Sequence, residues 1–213
     1  MTPRNVFDAI STYPGIKVDT ICGVKARCKQ YLVCSNKSKS DILDFDGAAH
    51  TYQKDKALSQ TPQSVDAIAI NKAEDLLILI EKKTWEHFLD HLSLSDKSEK
   101  KEAALAKLSS YDLRGKYKST RDICQHITHK TDLFLTLPHV FVFLSELSDR
   151  DPMASIATML SSLAYTSSNV DYAIQQPIVE GIKQKLTTIP CQRSRYLNCM
   201  ELDHFINDPS AFR

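Results

Sequence analysis

Glycine is scarce in this chain, with five residues in 213. So few glycines leave no material for a phosphate-cradling glycine-rich loop, and no Gly-x-Ser-x-Gly elbow occurs, which argues against an NTPase or a serine hydrolase. An excess of charge is missing as well. The 27 Lys+Arg against 26 Asp+Glu leave a formal charge of +1, so any contact with nucleic acid must come from a local basic patch. No stretch approaches the ~18 consecutive apolar residues that span a bilayer. The opening Met1-Thr2-Pro3-Arg4-Asn5-Val6-Phe7 also lacks the apolar core of a secretory signal, so a cytoplasmic protein without membrane contact is expected. Cys22, Cys28, Cys34, Cys124, Cys191 and Cys199 lack the short knuckle spacing of structural zinc sites. They read as reduced thiols, mostly buried small hydrophobes.

What is present is an ordinary globular composition, 42% hydrophobic and 25% charged, in a length that suits a single domain over residues 1–213. Ile16, Val18, Ile21, Val24, Tyr31, Leu32 and Val33 alternate with polar residues and predict two antiparallel strands with a turn near Gly23. The polar run from Ser35 to Asp41 reads as a turn, and Asp44 to Gln63 as a mobile loop or short helix. Alternation from Ser64 to Ile70, a polar turn over Asn71–Asp75 and an apolar run over Leu76–Ile80 predict a β-hairpin. Its second strand, apolar on both faces, belongs in the middle of a sheet. A short helix is expected around Trp85–His91, then one long helix or two broken near Gly115 between Ser98 and Lys130. Strands over Val140–Leu144 and Val170–Gln175, helices over 152–165 and Ile178–Leu186, and a last turn over Met200–Ile206 complete the reading. Antiparallel strands followed by alternating helices and strands describe an α/β fold, a mixed central β-sheet flanked by helices.

Charge interrupts the hairpin at three places. Asp66 sits in an otherwise apolar strand, and Glu81 and Lys83 stand where the next strand ends. Side chains alternate along a strand, so Glu81 and Lys83 share a face while Lys82 turns away. The hairpin brings the Asp66 carboxylate beside Glu81. Two such carboxylates repel unless a cation lies between them, and oxygen ligands of this hardness suit Mg²⁺ or Mn²⁺, with the Lys82 backbone carbonyl as a further donor. A metal there would polarise a scissile phosphate, and the Lys83 ammonium would stabilise developing negative charge.

Val65-Asp66, then Ile80-Glu81-Lys82-Lys83 with fourteen residues between Asp66 and Glu81, resembles the PD-(D/E)xK nuclease superfamily, with its restriction-endonuclease-like fold. The motif covers Ser64 to Lys83, and the order of elements extends the likeness to Leu144. The resemblance implies a motif-bearing core over about residues 15–145 and a C-terminal elaboration over about 146–213. It implies Asp66 and Glu81 as metal ligands, Lys83 as the catalytic lysine, and a Mg-dependent endonuclease acting on nucleic acid, DNA before RNA. Val65 stands where the family's namesake proline would be. The glutamate that such nucleases often carry upstream is missing, since the first glutamate is Glu74, and Asp44 or Asp46 is the candidate substitute. A polar side chain facing the site from the following helix is also implied, with Lys118, Ser119 and Gln125 as candidates. By fold-level analogy the chain is an effector of bacterial antiphage defence, with a regulatory or targeting subunit as partner. The alternative is a catalytically inactive nuclease-fold subunit that binds nucleic acid or a partner protein.

Basic residues gather just after the motif at Lys100, Lys101, Lys107, Arg114, Lys116, Lys118 and Arg121. Lys116, Lys118 and Arg121 are the candidates for tracking a phosphate backbone, against the plainer reading of a solvated helix face balanced by acids. His87 and His91 stand four apart on a helix but lack the His-Glu-x-x-His order of a zinc protease. They read as surface polar residues, as do His126 and His129.

Overall fold

The structure is a computed structural model that describes residues 1–24, 38–92, 96–147 and 172–208. In chain order its elements are α1 (Pro3–Ser11), β1 (Lys17–Thr20), α2 (Ile21–Val24), β2 (Asp41–Asp44), α3 (Asp46–Asp55), β3 (Ala67–Asn71) and β4 (Leu76–Lys83). There follow α4 (Trp85–Asp90), α5 (Lys97–Ser109), α6 (Leu113–Thr128), α7 (Leu133–Thr136), β5 (His139–Ser145), α8 (Tyr172–Thr187), β6 (Ser194–Asn198), a 3₁₀ turn (Cys199–Glu201) and α9 (Leu202–Asn207). The strands form one six-stranded sheet in the order β1-β2-β3-β4-β5-β6. Pairing is antiparallel from β1 to β4 and parallel from β4 to β6, so the expected mixed α/β sheet is present.

The hairpin alternation places its side chains as the sequence suggests. Leu77 and Leu79 join Ile68, Phe141 and Phe143 in one core, under α1, α6 and α8. Ile78 and Ile80 join Ala67, Ala69, Val142 and Leu144 in a second core on the other face, closed by Ile21, Leu202 and Phe205. The four residues Leu77–Ile80 are fully buried, and each contributes roughly 1.5–3 kcal/mol by leaving water. The turn is shaped by Asn71, whose Oδ1 accepts from the Glu74 N–H at 2.7 Å, and by Asp75 at φ 46°.

Several sequence expectations are corrected. β1 stops at Thr20, the residues around Gly23 form the turn of helix α2, and the partner of β1 is β2. Tyr31, Leu32 and Val33 lie outside the described residues, as do the expected helix over 152–165 and the thiols Cys28 and Cys34. Of the two readings of Asp44–Gln63, a loop or a short helix, the helix is present as α3. The expected strand Val170–Gln175 is helical from Tyr172 onward, and β6 is a strand where none was expected. The helix break falls at Ser110–Asp112, ahead of Gly115. Gly115 is there for another reason. The Asp112 carboxylate caps α6 by accepting from the Gly115 N–H at 2.8 Å, and a Cβ on Gly115 would lie 2.1 Å from Asp112 Oδ2.

Among the described thiols only Cys124 is buried, and Cys22, Cys191 and Cys199 are half-buried. Among the described residues no helix is long and apolar enough to cross a membrane.

Candidate active site

Ala67 pairs with Ile80, so Asp66 stands opposite Glu81 one step further along the same antiparallel ladder. Directly opposed side chains share a face, with Cβ atoms about 4.5–5.5 Å apart. That face is the one carrying Leu79 and Phe143, since Glu81 is paired with Phe143 on β5. Lys82 points through to the other face, where its ammonium donates to the Ile21 carbonyl at 2.9 Å. The expected geometry of Asp66 and Glu81 together, with Lys82 turned away, is therefore present.

Both acids are enclosed: Asp66 is 3% exposed and Glu81 0%. A buried carboxylate needs partners. One Asp66 oxygen, Oδ2, accepts from the Lys82 backbone N–H at 2.7 Å. Glu81 Oε1 accepts from the Tyr111 hydroxyl at 2.6 Å, and the Lys116 ammonium lies 2.9 Å from both Glu81 oxygens. Burial opposes the charge on Lys116, but Glu81 foremost, with Asp66 and Asp46 adding to it, holds its ammonium above the ordinary lysine value. Burial pushes the Tyr111 hydroxyl far up, with the Glu81 charge adding to it, so Tyr111 stays a proton donor to Glu81.

Lys83 reaches the same face and lies among aromatic rings. Its ammonium lies 5.9 Å from the Trp85 ring centroid, 5.8 Å from Phe88 and 6.0 Å from Tyr111, at the outer limit of cation–π contact. The Tyr111 ring has Lys116 on it too, at 5.5 Å. Lys116 is thus an ammonium placed directly on Glu81.

The supports of this cluster come from far along the chain. Thr120 accepts from the Val65 N–H at 3.0 Å and donates to the Lys116 carbonyl at 2.8 Å, which fixes α6 against the residue before Asp66. Lys185 on α8 donates to the carbonyls of Ser109 and Tyr111, both at 2.8 Å, and holds the α5–α6 link that carries Tyr111. Asp66 itself accepts at its backbone carbonyl from the Phe45 N–H at 3.0 Å.

The two candidates for an upstream acid separate. Asp44 pairs with Ala67, so the register assigns it to the face opposite Asp66 and Glu81. Burial raises its carboxyl above the ordinary value, against the Asp46 N–H and Lys17, with Asp19 and Asp66 adding to the rise. Asp46 opens α3 and is the one whose charge reaches Lys116. No group of three or more His, Cys, Asp or Glu is placed to hold a metal ion among the described residues. A divalent cation would meet oxygens of the right hardness in Asp66 and Glu81, but would have to displace the Lys116 ammonium from Glu81.

The basic set is divided as well. Lys116 belongs to the carboxylate cluster, whereas Lys118 and Arg121 line a cavity elsewhere on α6. Lys118 therefore does not face Glu81, and Gln125 donates to the Thr131 carbonyl beyond the end of α6. Of the histidines, His87 and His91 stack at 4.0 Å on α4, His126 contacts Asp55 at 3.3 Å, and His129 ends α6 in the left-handed conformation. Sequence reasoning missed Tyr111, which reads as one more apolar helix position. It also put Lys116 in a different role. The only local signal was Asp112, a capping residue that turns the chain between Tyr111 and Lys116.

No protein-family model, no curated protein and no solved structure matches the chain.

Proposed function

We propose that this chain is a metal-dependent nuclease of restriction-endonuclease-like core, resembling the PD-(D/E)xK superfamily and hydrolysing phosphodiester bonds in DNA before RNA. The observation that carries the reading is the opposition of Asp66 and Glu81 across β3 and β4, with Lys83 on the same face at the end of the central strand. Asp66 and Glu81 are the residues that would hold Mg²⁺ or Mn²⁺, with the Lys82 carbonyl and Asp46 as further oxygen donors. The bound ion would supply Lewis acidity toward the scissile phosphate and lower the pKa of its water.

The chain's own groups do the rest. Tyr111 orients the Glu81 carboxylate through its hydroxyl. The ammonium groups of Lys83 and Lys116 share the Tyr111 ring and bring positive charge to the place where a phosphate would gather negative charge in its transition state. The aromatic wall of Trp85, Phe88 and Tyr111 lowers the local polarity, which strengthens those charges. The whole chain acts in this reading as one domain in the cytoplasm, an effector of antiphage defence restrained by a partner subunit.

Incubation of the purified chain with supercoiled plasmid and with RNA in Mg²⁺ or Mn²⁺ tests it. Wild type should cut, and Lys83→Ala and Glu81→Gln should not. Absence of cutting by wild type on every substrate, or equal cutting by all three, defeats the proposal.

A second reading is favoured by one specific observation, the pairing of both Glu81 oxygens with Lys116. A carboxylate so satisfied is a structural ion pair, and the chain would then be an inactive nuclease-fold subunit that binds nucleic acid or a protein. Titration with Mn²⁺ separates the two, because only the catalytic form needs metal at Asp66 and Glu81.

A further inference from the structure

Residues two apart on a helix are about 200° apart around its axis, so Lys118 leaves α6 on the side opposite Lys116. There a cavity of about 430 Å³ opens between α6 and Pro190, and Arg114, Lys118 and Arg121 supply its cations. The spacing i, i+4, i+7 aligns the three on one helical face. Asp112 and Asp122 also line the cavity, but Asp112 is occupied in capping Gly115. None of the three cations forms an ion pair among the described residues.

Arg121 is braced against two aromatic rings. Its guanidinium carbon lies 5.8 Å from the ring centroids of both Tyr117 and Phe134, which fixes the plane of the fork. Its Nε is buried and has no hydrogen-bond partner among the described residues. The ring of Tyr117 is not available to a base, because it is buried and stacked on His139, with its hydroxyl on His139 Nε2. The wall therefore offers recognition of an anion by a planar fork and two further cations, without a platform for a nucleobase.

We infer that this cavity is a phosphate-binding site, taking a phosphate group either as the free ion or as part of a nucleic-acid strand. It does not rest on the nuclease reading, since its groups lie on the other side of α6 from Glu81.

Calorimetric titration without divalent metal tests it, using inorganic phosphate, a short single-stranded DNA with a 5′-phosphate, and the same DNA with a 5′-hydroxyl. Wild type should bind at least one of them saturably. Arg121→Gln and the double variant Arg114→Gln/Lys118→Gln, whose positions are exposed, should weaken binding about tenfold or more, the loss expected of a charge-assisted hydrogen bond. Lys107→Gln removes the same charge from α5 and should leave affinity unchanged. The ¹⁵N signal of Arg121 Nε should move on titration, a readout that does not depend on any variant folding. Tight binding of phosphate alone identifies the free ion as ligand; preference for the 5′-phosphorylated strand identifies a strand end, and equal binding of both strands an internal phosphodiester. Lack of saturable binding by all three probes overturns the inference, and so does equal weakening by Lys107→Gln or indifference to Arg121→Gln.

Discussion

Glu81 is fully buried and takes hydrogen bonds from both Lys116 and Tyr111. A fully buried carboxylate held by an ammonium and a phenol stays favourable only while both partners remain. Lys116→Met should therefore destabilise the protein by about 3 kcal/mol, as expected when one member of a buried pair is removed, and Tyr111→Phe by about 1 kcal/mol. Urea denaturation of the single variants, and of Lys116→Met combined with Glu81→Gln, checks this. The double variant should recover part of the loss, and strict additivity would mean that the pair is not coupled.

His139 gives a pH signature of its own. Burial depresses its pKa below the ordinary 6.5, against the Leu137 carbonyl and with Arg121 adding to the fall. Below 6.5 the unfolded chain takes up a proton that the folded chain does not, so stability falls as pH drops through that value. Melting temperatures at pH 7.5 and pH 5.5 should differ more in wild type than in His139→Gln. An identical difference in both would mean that His139 does not set this pH dependence.

At the scale of elements, the link between α5 and α6 positions both Tyr111 and Lys116. Gly115→Ala should destabilise, although alanine is the better helix former by about 1 kcal/mol, because its Cβ would drive out the Asp112 cap, worth about 1–2 kcal/mol. Thermal unfolding of Gly115→Ala, Asp112→Ala and the double variant decides it. Once either change has removed the cap, the other should add little. The elements also show what a sequence can and cannot disclose. The β3–β4 hairpin was legible because its alternation, its turn and its doubly apolar second strand all express local rules. β6 was not, since Ser194 and Arg195 stay partly or fully exposed and only Tyr196, Leu197 and Asn198 are buried. The first four residues of α8, Tyr172–Gln175, were misread as strand because Pro177 stands inside the helix, where proline normally costs a hydrogen bond.

At the scale of the molecule, the sheet is the device that joins distant residues. Asp66 and Glu81 were legible as neighbours because one hairpin joins them. Lys116, thirty-five residues beyond Glu81, was not, because its contact depends on how α6 packs and no local pattern encodes that. The packing also explains why a row of basic residues close in sequence is divided between two sides of α6. Lys185, reaching from α8 to the link, should matter for the same reason. In Lys185→Met the coupling of Tyr111 to Glu81 should loosen, visible as faster amide exchange around Tyr111 with the sheet unaffected; unchanged exchange there would show the link to be held by other contacts.

The most direct measurement on the central claim is Mn²⁺ binding followed by electron paramagnetic resonance, in wild type, Asp66→Asn, Glu81→Gln and Lys116→Met. Wild type should show one saturable site, Asp66→Asn and Glu81→Gln should lose it, and Lys116→Met should bind more tightly because the ammonium no longer competes for Glu81. Saturable binding that survives both carboxylate changes, or no site in wild type and in Lys116→Met alike, would contradict that claim.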